Sequence, residues 1–294
     1  MKIALCNGGL GNQVFQYIFS RYVEFVSGEE CYLDDAAFFG SNVEHNGFEI
    51  PRVFPNAKPR LLSSLFTQDV WEYMLQQRAN GKGICEQIRA LGEEIVMVAE
   101  TVDYKFSGNV IRVPTNAFNP VLATSKGNIY FHGYWINRSW LKNEFYPVLK
   151  EELTFAPLTE EHNLKYAAEI QGCNSVSLHI RRGDFVRLNR ATSPAVYKEV
   201  VTYTEEKVMD AIYFVFSDDL DWCRENMEEL GLDRVSDRVH FVAGNTGTMN
   251  FRDMQLMSLC KNNILVGGSS FSFLAALLNA NSDAMVINAS GREV

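Results

Sequence analysis

The stretch Val176–Asp184, with the sequence VSLHIRRGD, decides the fold of this chain. Its first half is apolar and typical of a buried strand, and its second half places the pair Arg181 and Arg182 where that strand ends. In open α/β sheets, ligands bind at the carboxyl ends of the strands. The planar fork of a guanidinium donates paired hydrogen bonds to phosphate oxygens. The first hypothesis is therefore a ligand with a pyrophosphate group, and a surface ion-pair cluster is the alternative.

The C-terminal half alternates strands with helices. Its hydrophobic pattern predicts strands at 176–180, 211–216, 239–243, 263–266 and 284–287, and helices at 197–209, 219–230, 249–260 and 271–279. Such alternation indicates a parallel sheet with right-handed crossovers, which is a Rossmann-like arrangement.

The N-terminal half opens in the same way. A strand at 2–6 leads through the glycines of the turn Gly8–Gly11 into an amphipathic helix at 12–26, and a second strand ends at Asp34 and Asp35. The region from 36 to 120 is less regular. The pattern predicts helices at 68–77 and 84–91, a strand at 129–134, a helix at 140–153 interrupted near Pro147, and a linker at 155–158. The sequence therefore predicts an α/β protein with two Rossmann-like domains, 1–155 and 156–294.

Composition excludes several functional classes. The chain has 294 residues and a net charge of -9, which argues against a nucleic-acid binder because such proteins carry a basic face. No window approaches the roughly 18 apolar residues of a membrane span. The six cysteines are scattered without a CxxC pair, so we interpret them as reduced, and the histidines do not show zinc-ligand spacing. These features predict a cytoplasmic protein without a metal site.

The turn Gly9-Leu10-Gly11, between a strand and a helix, allows a phosphate to approach the backbone closely. The dinucleotide-binding fingerprint requires Gly or Ala where this chain has Val14, although Asp34 fits the ribose-binding acid of that fingerprint. A nicotinamide-dependent enzyme is therefore one alternative, and a purely structural turn is another.

Two further loops follow predicted strands of the C-terminal half. Ser217 and Asp218 either face a ribose or base, or cap the next helix. Ser269–Phe271 start a helix, where hydroxyls and backbone amides form either an anion cradle or an ordinary cap. Asp253, on the preceding helix, either pairs with a guanine edge or faces solvent. Because three loops of one sheet carry arginine, acid and serine groups at the same edge, together they favour a nucleotide site.

These motifs together resemble the α-1,2-fucosyltransferases of glycosyltransferase family 11. The resemblance rests on GGLGNQVFQY at 8–17, YFHGYW at 130–135, HIRRGD at 179–184, FSDD at 216–219 and the segment 253–273. It implies a GT-B-like fold, in which two Rossmann-like domains face each other across a cleft. The first domain would lie on the acceptor side, and the second would bind GDP-fucose. The resemblance also implies inversion at the anomeric carbon, no metal or other cofactor, and an α-1,2 linkage to a galactose-type hydroxyl.

The resemblance assigns roles to individual residues. Arg181 would contact the donor pyrophosphate and Asn12 would face the transferred sugar or the acceptor, so these two are the candidate catalytic residues. The donor-binding set is His179, Arg181, Arg182, Asp184, Ser217, Asp218, Asp253, Ser269, Ser270 and Phe271, and the acceptor set is Gly9, Gly11, Asn12 and Gln13. No general base is assigned, and Asp34 and Asp35 are guesses. The expected acceptor is an oligosaccharide or lipid-linked glycan of an O-antigen or capsule, which leaves peripheral association with the inner membrane as an option.

The chain departs from the family pattern after the serine motif. It has Phe273-Leu274-Ala275 where the family has tryptophans, and it lacks the usual proline- and tryptophan-containing tail. These departures leave two alternatives open. One is a related transferase that uses another nucleotide sugar, and the other is a catalytically idle protein that binds a nucleotide sugar or a glycan.

Overall fold

The computed structural model describes residues 1–40, 43, 45–100, 110–114, 118–137, 144–281 and 283–288. The chain divides into two compact units, Met1–Ala156 and Pro157–Val294. Each unit contains a sheet whose described strands are all parallel. In a parallel sheet the carboxyl ends of the strands lie at one edge, so each unit has one edge at which the loops that follow its strands can combine.

The first unit contains strands β1 (Lys2–Leu5), β2 (Cys31–Asp34), β3 (Ile95–Glu100), β4 (Val110–Val113) and β5 (Asn128–His132), and helices α1 (Leu10–Ser27), α2 (Ile50–Val53), α3 (Gln68–Ala79), α4 (Ile84–Ala90), α5 (Val121–Thr124) and α6 (Tyr146–Glu152). The described strands lie in the order β2-β1-β5-β3-β4, with Leu5 opposite Asp34 in the β1–β2 pair. The turn that contains the glycines therefore leaves the sheet beside the end of β2.

Helix α1 is fixed by packing along most of its length. Phe19 lies 5.3 Å from Phe131 of β5 and stacks on Trp135 at 4.4 Å, measured between ring centroids. Burial of one such ring contributes about 1.5–3 kcal/mol. The helix stops at Gly28, whose left-handed φ of +69° lets its amide reach the carbonyl of Glu24. This packing holds the glycine turn at the start of α1 in a fixed position.

The second unit contains strands β6 (Ser175–Ile180), β7 (Ile212–Ser217), β8 (Val239–Phe241), β9 (Asn262–Leu265) and β10 (Met285–Asn288), and helices α7 (Glu161–Gly172), α8 (Gly183–Arg187), α9 (Pro194–Lys207), α10 (Leu220–Glu225), α11 (Met227–Leu230), α12 (Phe251–Leu259) and α13 (Ser270–Leu277). Their order is β10-β9-β6-β7-β8. The chain runs outward from β6 to β8 and then crosses to β9, on the other side of β6. The order of the strands reverses at that point, and open α/β sheets bind ligands in the crevice at such a reversal.

The two faces of β6 carry different side chains, because successive residues of a strand point to opposite faces. Leu178 and Ile180 are buried in the apolar core that α9 covers. Ser177 and His179 lie on the other face, where the Ser177 hydroxyl accepts a hydrogen bond from Asn263 Nδ2 at 2.7 Å. The polar face of β6 is thus the one that leads to the crevice beside β9.

Several sequence predictions were wrong in detail. No strand was expected between 36 and 120, yet β3 and β4 lie there; exposed Val96 and Ile111 obscure their burial pattern. Helix α7 was not predicted. The helix expected at 219–230 is divided into α10 and α11 at Asn226, whose φ of -114° and ψ of 27° lie outside helical geometry. Its side chain donates to the carbonyl of Trp222 at 2.8 Å. Of the helix expected at 140–153, residues 146–152 form α6, and residues 140–143 lie outside the described residues.

Two general features concern the residues that the structure describes. None of their helices is both long enough and apolar enough to cross a bilayer. All six cysteines are free thiols, and five of them are buried. Burial raises the pKa of the Cys6 and Cys260 thiols, so both behave as small apolar side chains.

Candidate functional site

Arg181 follows β6 and lies between two carboxylates. Its Nη2 atom is 2.6 Å from Asp184 Oδ1, and its Nη1 atom is 2.7 Å from Asp218 Oδ2. Asp184 belongs to α8, while Asp218 follows β7, which pairs with β6 as far as Ile180 and Ser217. The Arg181 side chain is 31% exposed, so its remaining N–H donors are accessible at the carboxyl edge of the sheet.

Asp218 also fixes the backbone of the loop after β6. Its Oδ1 atom accepts a hydrogen bond from the amide of Arg182 at 2.8 Å. A Cβ at Gly183 would lie only 2.5 Å from Asp218 Oδ2, so a glycine is needed at this close approach. The hydroxyl of Ser217 donates to the carbonyl of Ile180 at 2.7 Å. Ser217 and Asp218 therefore join the loops after β6 and β7.

Arg182 points toward α10. Its Cζ atom lies 3.5 Å from the centroid of the Trp222 ring, and its Nε atom is 3.2 Å from Asp219 Oδ2. Asp219 also caps α10 by accepting a hydrogen bond from the amide of Trp222 at 3.2 Å. The helix cap is therefore Asp219, and the expectation that Ser217 or Asp218 provides it was wrong. The cation–π contact and the ion pair hold Arg182 in place. Its side chain is 19% exposed against 31% for Arg181, so Arg181 offers more of its guanidinium to a ligand.

The charged side chains at this edge of the sheet determine where a negatively charged ligand can bind favourably. Two guanidinium groups face three carboxylates, those of Asp184, Asp218 and Asp219. Three unpaired carboxylates would repel a diphosphate, but here each of them is paired with an arginine. Asp184 and Asp218 are thus suited to orienting Arg181 rather than to contacting phosphate themselves.

His179 is buried beside the start of α13. Its Nδ1 atom is 3.5 Å from the Ser269 hydroxyl, and its ring centroid is 5.4 Å from that of Phe271. Burial and, as a smaller cause, the nearby charge of Arg181 lower the pKa of His179 to about 4. The imidazole is therefore neutral at pH 7, when it can both donate and accept a hydrogen bond. Ser269 is the N-cap residue of α13, and Ser270 is its first residue.

Asp253 lies in the first turn of α12 and is partly buried. Its Oδ1 atom accepts a hydrogen bond from Asn245 Nδ2 at 2.8 Å, and Asn245 exchanges two hydrogen bonds of 2.9 Å with Asn163. Burial raises the pKa of Asp253 to about 7, although the bond from Asn245 opposes that rise. The Asp253 side chain therefore has a fixed partner in Asn245 and remains partly exposed. A carboxyl with this pKa is partly protonated near neutral pH, so a hydrogen-bond donor that binds beside it shifts it toward the carboxylate.

In the first unit, the side chain of Gln13 anchors the glycine turn by hydrogen bonds. The Nε2 atom of this fully buried residue donates to the carbonyls of Gly8 and Gly47, both at 2.8 Å, and its Oε1 atom accepts from the amide of Glu49 at 2.9 Å. Gln13, predicted for the acceptor set, therefore binds the backbone of its own unit. Gly11 is buried as well, while Gly9 and Asn12 are partly exposed.

The two aspartates named as guesses for a general base have structural partners. Asp34 is buried, and its Oδ2 atom pairs with Arg78 Nη1 and with the Tyr130 hydroxyl, both at 2.8 Å. Asp35 is buried as well and accepts hydrogen bonds from the amide and the hydroxyl of Ser63, at 3.0 and 2.5 Å. Burial raises the pKa of Asp35. Neither carboxylate is placed to take a proton from a bound substrate.

Sequence reasoning did not single out Trp222 or His45, and it named Asp219 only as part of the FSDD motif, without a role of its own. Trp222 lies three residues after that motif, in the first turn of the helix that Asp219 caps. His45 gave no sequence signal, because its approach to Gly9 depends on the hydrogen bonds of Gln13. Among the described residues, no group of three or more His, Cys, Asp or Glu side chains is arranged to hold a metal ion.

Comparison with known proteins places this arrangement in a class. The fold resembles that of GT-B fucosyltransferases: a NodZ α-1,6-fucosyltransferase co-crystallised with GDP aligns with a TM-score of 0.51 and 12% identity over 100% of this chain and 97% of that one. An α-1,2-colitosyltransferase from Escherichia coli is 28% identical over 94% of this chain and 87% of its own length. An O-antigen biosynthesis glycosyltransferase from the same organism, WbnK, is 29% identical over 40% of this chain and 39% of its own length.

The structural relatives thus show a GT-B-like α/β fold, and the arginine-centred edge lies in its second unit. The profile of glycosyl transferase family 11 matches residues 112–293, which is more than half of the chain. The chain belongs to glycosyl transferase family 11.

Proposed function

We propose that this protein transfers L-fucose from GDP-β-L-fucose to a glycan hydroxyl, with inversion at the anomeric carbon and without a metal ion. The proposed acceptor atom is O2 of a galactose-type residue, which gives an α-1,2 linkage. Membership of family 11 supports sugar transfer, and the GDP in the NodZ crystal supports guanosine diphosphate as the carrier. The relative that acts in O-antigen biosynthesis supports a bacterial surface glycan as the acceptor.

The observation that carries the proposal is the orientation of Arg181 by Asp184 and Asp218. Carboxylates that hold a guanidinium from two sides fix its direction before a ligand arrives, so little conformational entropy is lost on binding. The N–H donors that these carboxylates do not use remain for phosphate oxygens. Arg181 is therefore the residue that we assign to the donor pyrophosphate.

The proposed mechanism follows from this placement. When the bond between C1 and the phosphate oxygen breaks, the electron pair leaves with GDP and the sugar gains oxocarbenium character. Arg181 and the backbone amides at the start of α13 stabilise the negative charge on the leaving group, which is the role that Mg²⁺ has in many other nucleotide reactions. The acceptor oxygen forms its bond to C1 from the opposite face, so the configuration inverts.

Asp253 is proposed to select guanine. The N1–H and the 2-amino group of guanine are two adjacent donors, and a carboxylate can accept from both. The carboxyl of Asp253 is partly buried, so these hydrogen bonds are stronger than they would be in bulk water. Neutral His179 would complete the nucleoside side of the site through either ring nitrogen.

A transferase for a different GDP-linked sugar is the second candidate, and one observation favours it. The relative that spans 94% of this chain is named an α-1,2-colitosyltransferase. Colitose is the 3-deoxy analogue of L-fucose, so a site that selects between them must respond to the hydroxyl at C3. A site built to hydrogen-bond that hydroxyl would reject the deoxy sugar strongly, whereas an apolar pocket would discriminate weakly.

The experiment is a transfer assay with the full chain, using GDP-fucose, GDP-colitose, GDP-mannose and UDP-galactose against a panel of galactose-terminated oligosaccharides. Each reaction is run in EDTA and in Mg²⁺, and the product linkage is determined by NMR. We expect an α-1,2-fucosylated product at equal rates in both buffers. Transfer from GDP-colitose alone would replace the donor assignment, and tight GDP binding without transfer from any donor would support the idle binding protein.

A further inference from the structure

We infer that Asn163 and Asn245 are positioning residues for guanine recognition, because together they fix the direction in which Asp253 presents its carboxyl group. This inference rests on the proposed function, since it takes Asp253 as the residue that selects guanine. All three residues belong to the second unit. Asn245 lies in the loop after β8, Asp253 in the first turn of α12 and Asn163 in α7.

The side-chain amide of Asn245 uses its whole hydrogen-bonding capacity within the protein. Its nitrogen carries two N–H donors, one directed at Asn163 Oδ1 at 2.9 Å and the other at Asp253 Oδ1 at 2.8 Å. Its oxygen, which can accept twice, is 2.9 Å from Asn163 Nδ2 and 3.2 Å from His162 Nε2. Asn245 therefore keeps no donor for a ligand, and what its amide does is hold Asp253.

These partners also determine which way the amide of Asn245 faces. If the amide turned over, its oxygen would point at the carboxylate of Asp253, and two acceptors would face each other. The two hydrogen bonds exchanged with Asn163 form a closed pair, so one amide cannot turn over without the other. The arrangement therefore favours one state, in which an N–H of Asn245 is directed at Asp253.

Asn163 is the buried anchor of this arrangement. It is fully buried, and it lies on the face of α7 that also buries Ala167 and Ile170. A buried amide that loses its partners costs more free energy than its hydrogen bonds contribute when they form, so Asn163 holds Asn245 firmly. Without the Asn163 side chain, Asn245 would be held by Asp253, which is partly exposed, and by His162, which is exposed.

A second contact fixes the start of α12 against the start of α7. Arg252, the residue before Asp253, is buried, and its Nη2 atom donates to the carbonyl of Pro157 at 2.9 Å and to Glu160 Oε1 at 3.1 Å. Glu160 is the N-cap residue of α7, and its Oε2 atom is 3.4 Å from Asn163 Nδ2. The backbone that carries Asp253 is thus anchored to the same helix end as its side chain.

The fixed carboxyl group of Asp253 has one oxygen open to a ligand. Asn245 donates to Oδ1, whereas no hydrogen-bond donor of the described residues reaches Oδ2, and the residue is partly exposed. Guanine presents its N1–H and 2-amino donors side by side, so a carboxylate accepts from both only when it is correctly oriented. Hypoxanthine keeps N1–H but lacks the amino group. The preference for guanine over hypoxanthine therefore measures the orientation of this carboxylate.

The test compares calorimetric affinities for GDP and for inosine diphosphate in EDTA, using the native chain, Asn163→Ala and Asn245→Ala. We expect the native chain to bind GDP about tenfold or more tightly than inosine diphosphate, the effect of one hydrogen bond to a charged group. In both variants this ratio should fall at least about threefold, because the carboxylate is no longer held in one direction. Asn245→Ala changes a loop residue, so it decides the question if Asn163→Ala does not fold.

Asn262→Ala is the matched control. Asn262 is another buried asparagine of the second unit, but it is the first residue of β9 and donates to the carbonyl of Ser175 at 3.4 Å. It therefore lies at the amino end of the sheet, opposite the candidate site. We expect this variant to keep the native ratio of the two affinities, even if its thermal stability falls.

A double-mutant cycle separates positioning from a general loss of structure. If Asn163 acts through Asp253, Asn163→Ala should not change the ratio further in an Asp253→Asn background, where the carboxylate is already lost. A folded Asn163→Ala or Asn245→Ala variant with the native ratio, or an undiminished effect of Asn163→Ala in the Asp253→Asn background, would overturn the inference. A native chain that binds both nucleotides equally would overturn the guanine assignment with it. A native ratio above tenfold without transfer from any donor would overturn the proposed reaction alone.

Discussion

Arg181 and Asp218 form an ion pair across two neighbouring strands, with Nη1 2.7 Å from Oδ2. Arg181 follows β6 and Asp218 follows β7, so the pair joins two loops at the carboxyl edge of one sheet. Asp218 holds the amide of Arg182 as well. One carboxylate therefore determines both the backbone path of the arginine motif and the direction of its first guanidinium.

A substitution at Gly183 tests the ion pair between Arg181 and Asp218. A Cβ at this position would lie 2.5 Å from Asp218 Oδ2, so Gly183→Ala should push Asp218 away from Arg181. We expect calorimetric GDP affinity to fall about tenfold, the effect of losing one charge-assisted contact. Gly172→Ala is the matched control, since a Cβ there meets nothing within 4 Å. Equal GDP affinity in both variants would contradict the role given to Asp218.

The raised pKa of Asp253 predicts a pH dependence of nucleotide binding. Below about pH 7 the carboxyl holds its proton, whereas the donors of guanine prefer the carboxylate. Binding should therefore release a proton, and GDP affinity should rise between about pH 6 and about pH 8. Asp253→Asn should bind GDP more weakly and without this rise, apart from the titration of the phosphate itself, which is common to both proteins. Parallel pH profiles would show that Asp253 does not contact guanine.

His179 predicts acid sensitivity of the fold. Its native pKa of about 4 lies below the value of about 6.5 in an unfolded chain, so the unfolded chain binds more protons in that window. The stability due to neutral His179 is complete above about pH 6.5 and is lost as pH falls toward 4. Urea unfolding at about pH 7 and about pH 5 should show a larger loss for the native chain than for His179→Gln. Asp253 acts in the opposite direction, but it is present in both proteins and cancels in the comparison.

Asp34 should prove to be structural. Asp34→Ala leaves the guanidinium of Arg78 and the hydroxyl of Tyr130 without their shared acceptor. Removal of one partner from a buried ion pair costs about 3–5 kcal/mol, and we expect a loss of that size in unfolding free energy. Asp69→Ala, at an exposed site on α3, should change stability by less than about 0.5 kcal/mol. Full stability with abolished turnover in Asp34→Ala would restore Asp34 as a candidate base.

The sequence was sufficient to predict the second unit's alternating elements, because each strand is an apolar run followed by a loop and a helix. It was less informative for the first unit. The burial of β3 and β4 is mixed, with exposed positions between buried ones, so no continuous apolar run identifies them. Helix α7 is the exception in the second unit: its buried face includes a polar residue, Asn163, which pairs with Asn245, 82 residues away.

At the candidate site, the sequence identified which loops carry polar groups but not how those groups pair. Arg181 and Asp218 meet because β6 and β7 are neighbours in register, which no local pattern encodes. The contact between His45 and Gly9 is likewise not encoded locally, because it depends on the hydrogen bonds that Gln13 makes to both segments. Local patterns thus predicted which edge of the sheet carries the site. The pairing of distant segments determined that Asp218 orients the guanidinium and that Arg181 keeps donors for a ligand.

The central claim is that Arg181 holds the pyrophosphate of a guanosine diphosphate sugar. A calorimetric titration of GDP into the native chain, Arg181→Ala and Arg224→Ala, all in EDTA, tests it most directly. Arg224 is an exposed arginine on α10 that pairs with Asp221, and it serves as the matched control. We expect micromolar GDP binding by the native chain and by Arg224→Ala, and affinity about tenfold or more weaker in Arg181→Ala. No binding by the native chain, or equal binding by all three, would contradict it.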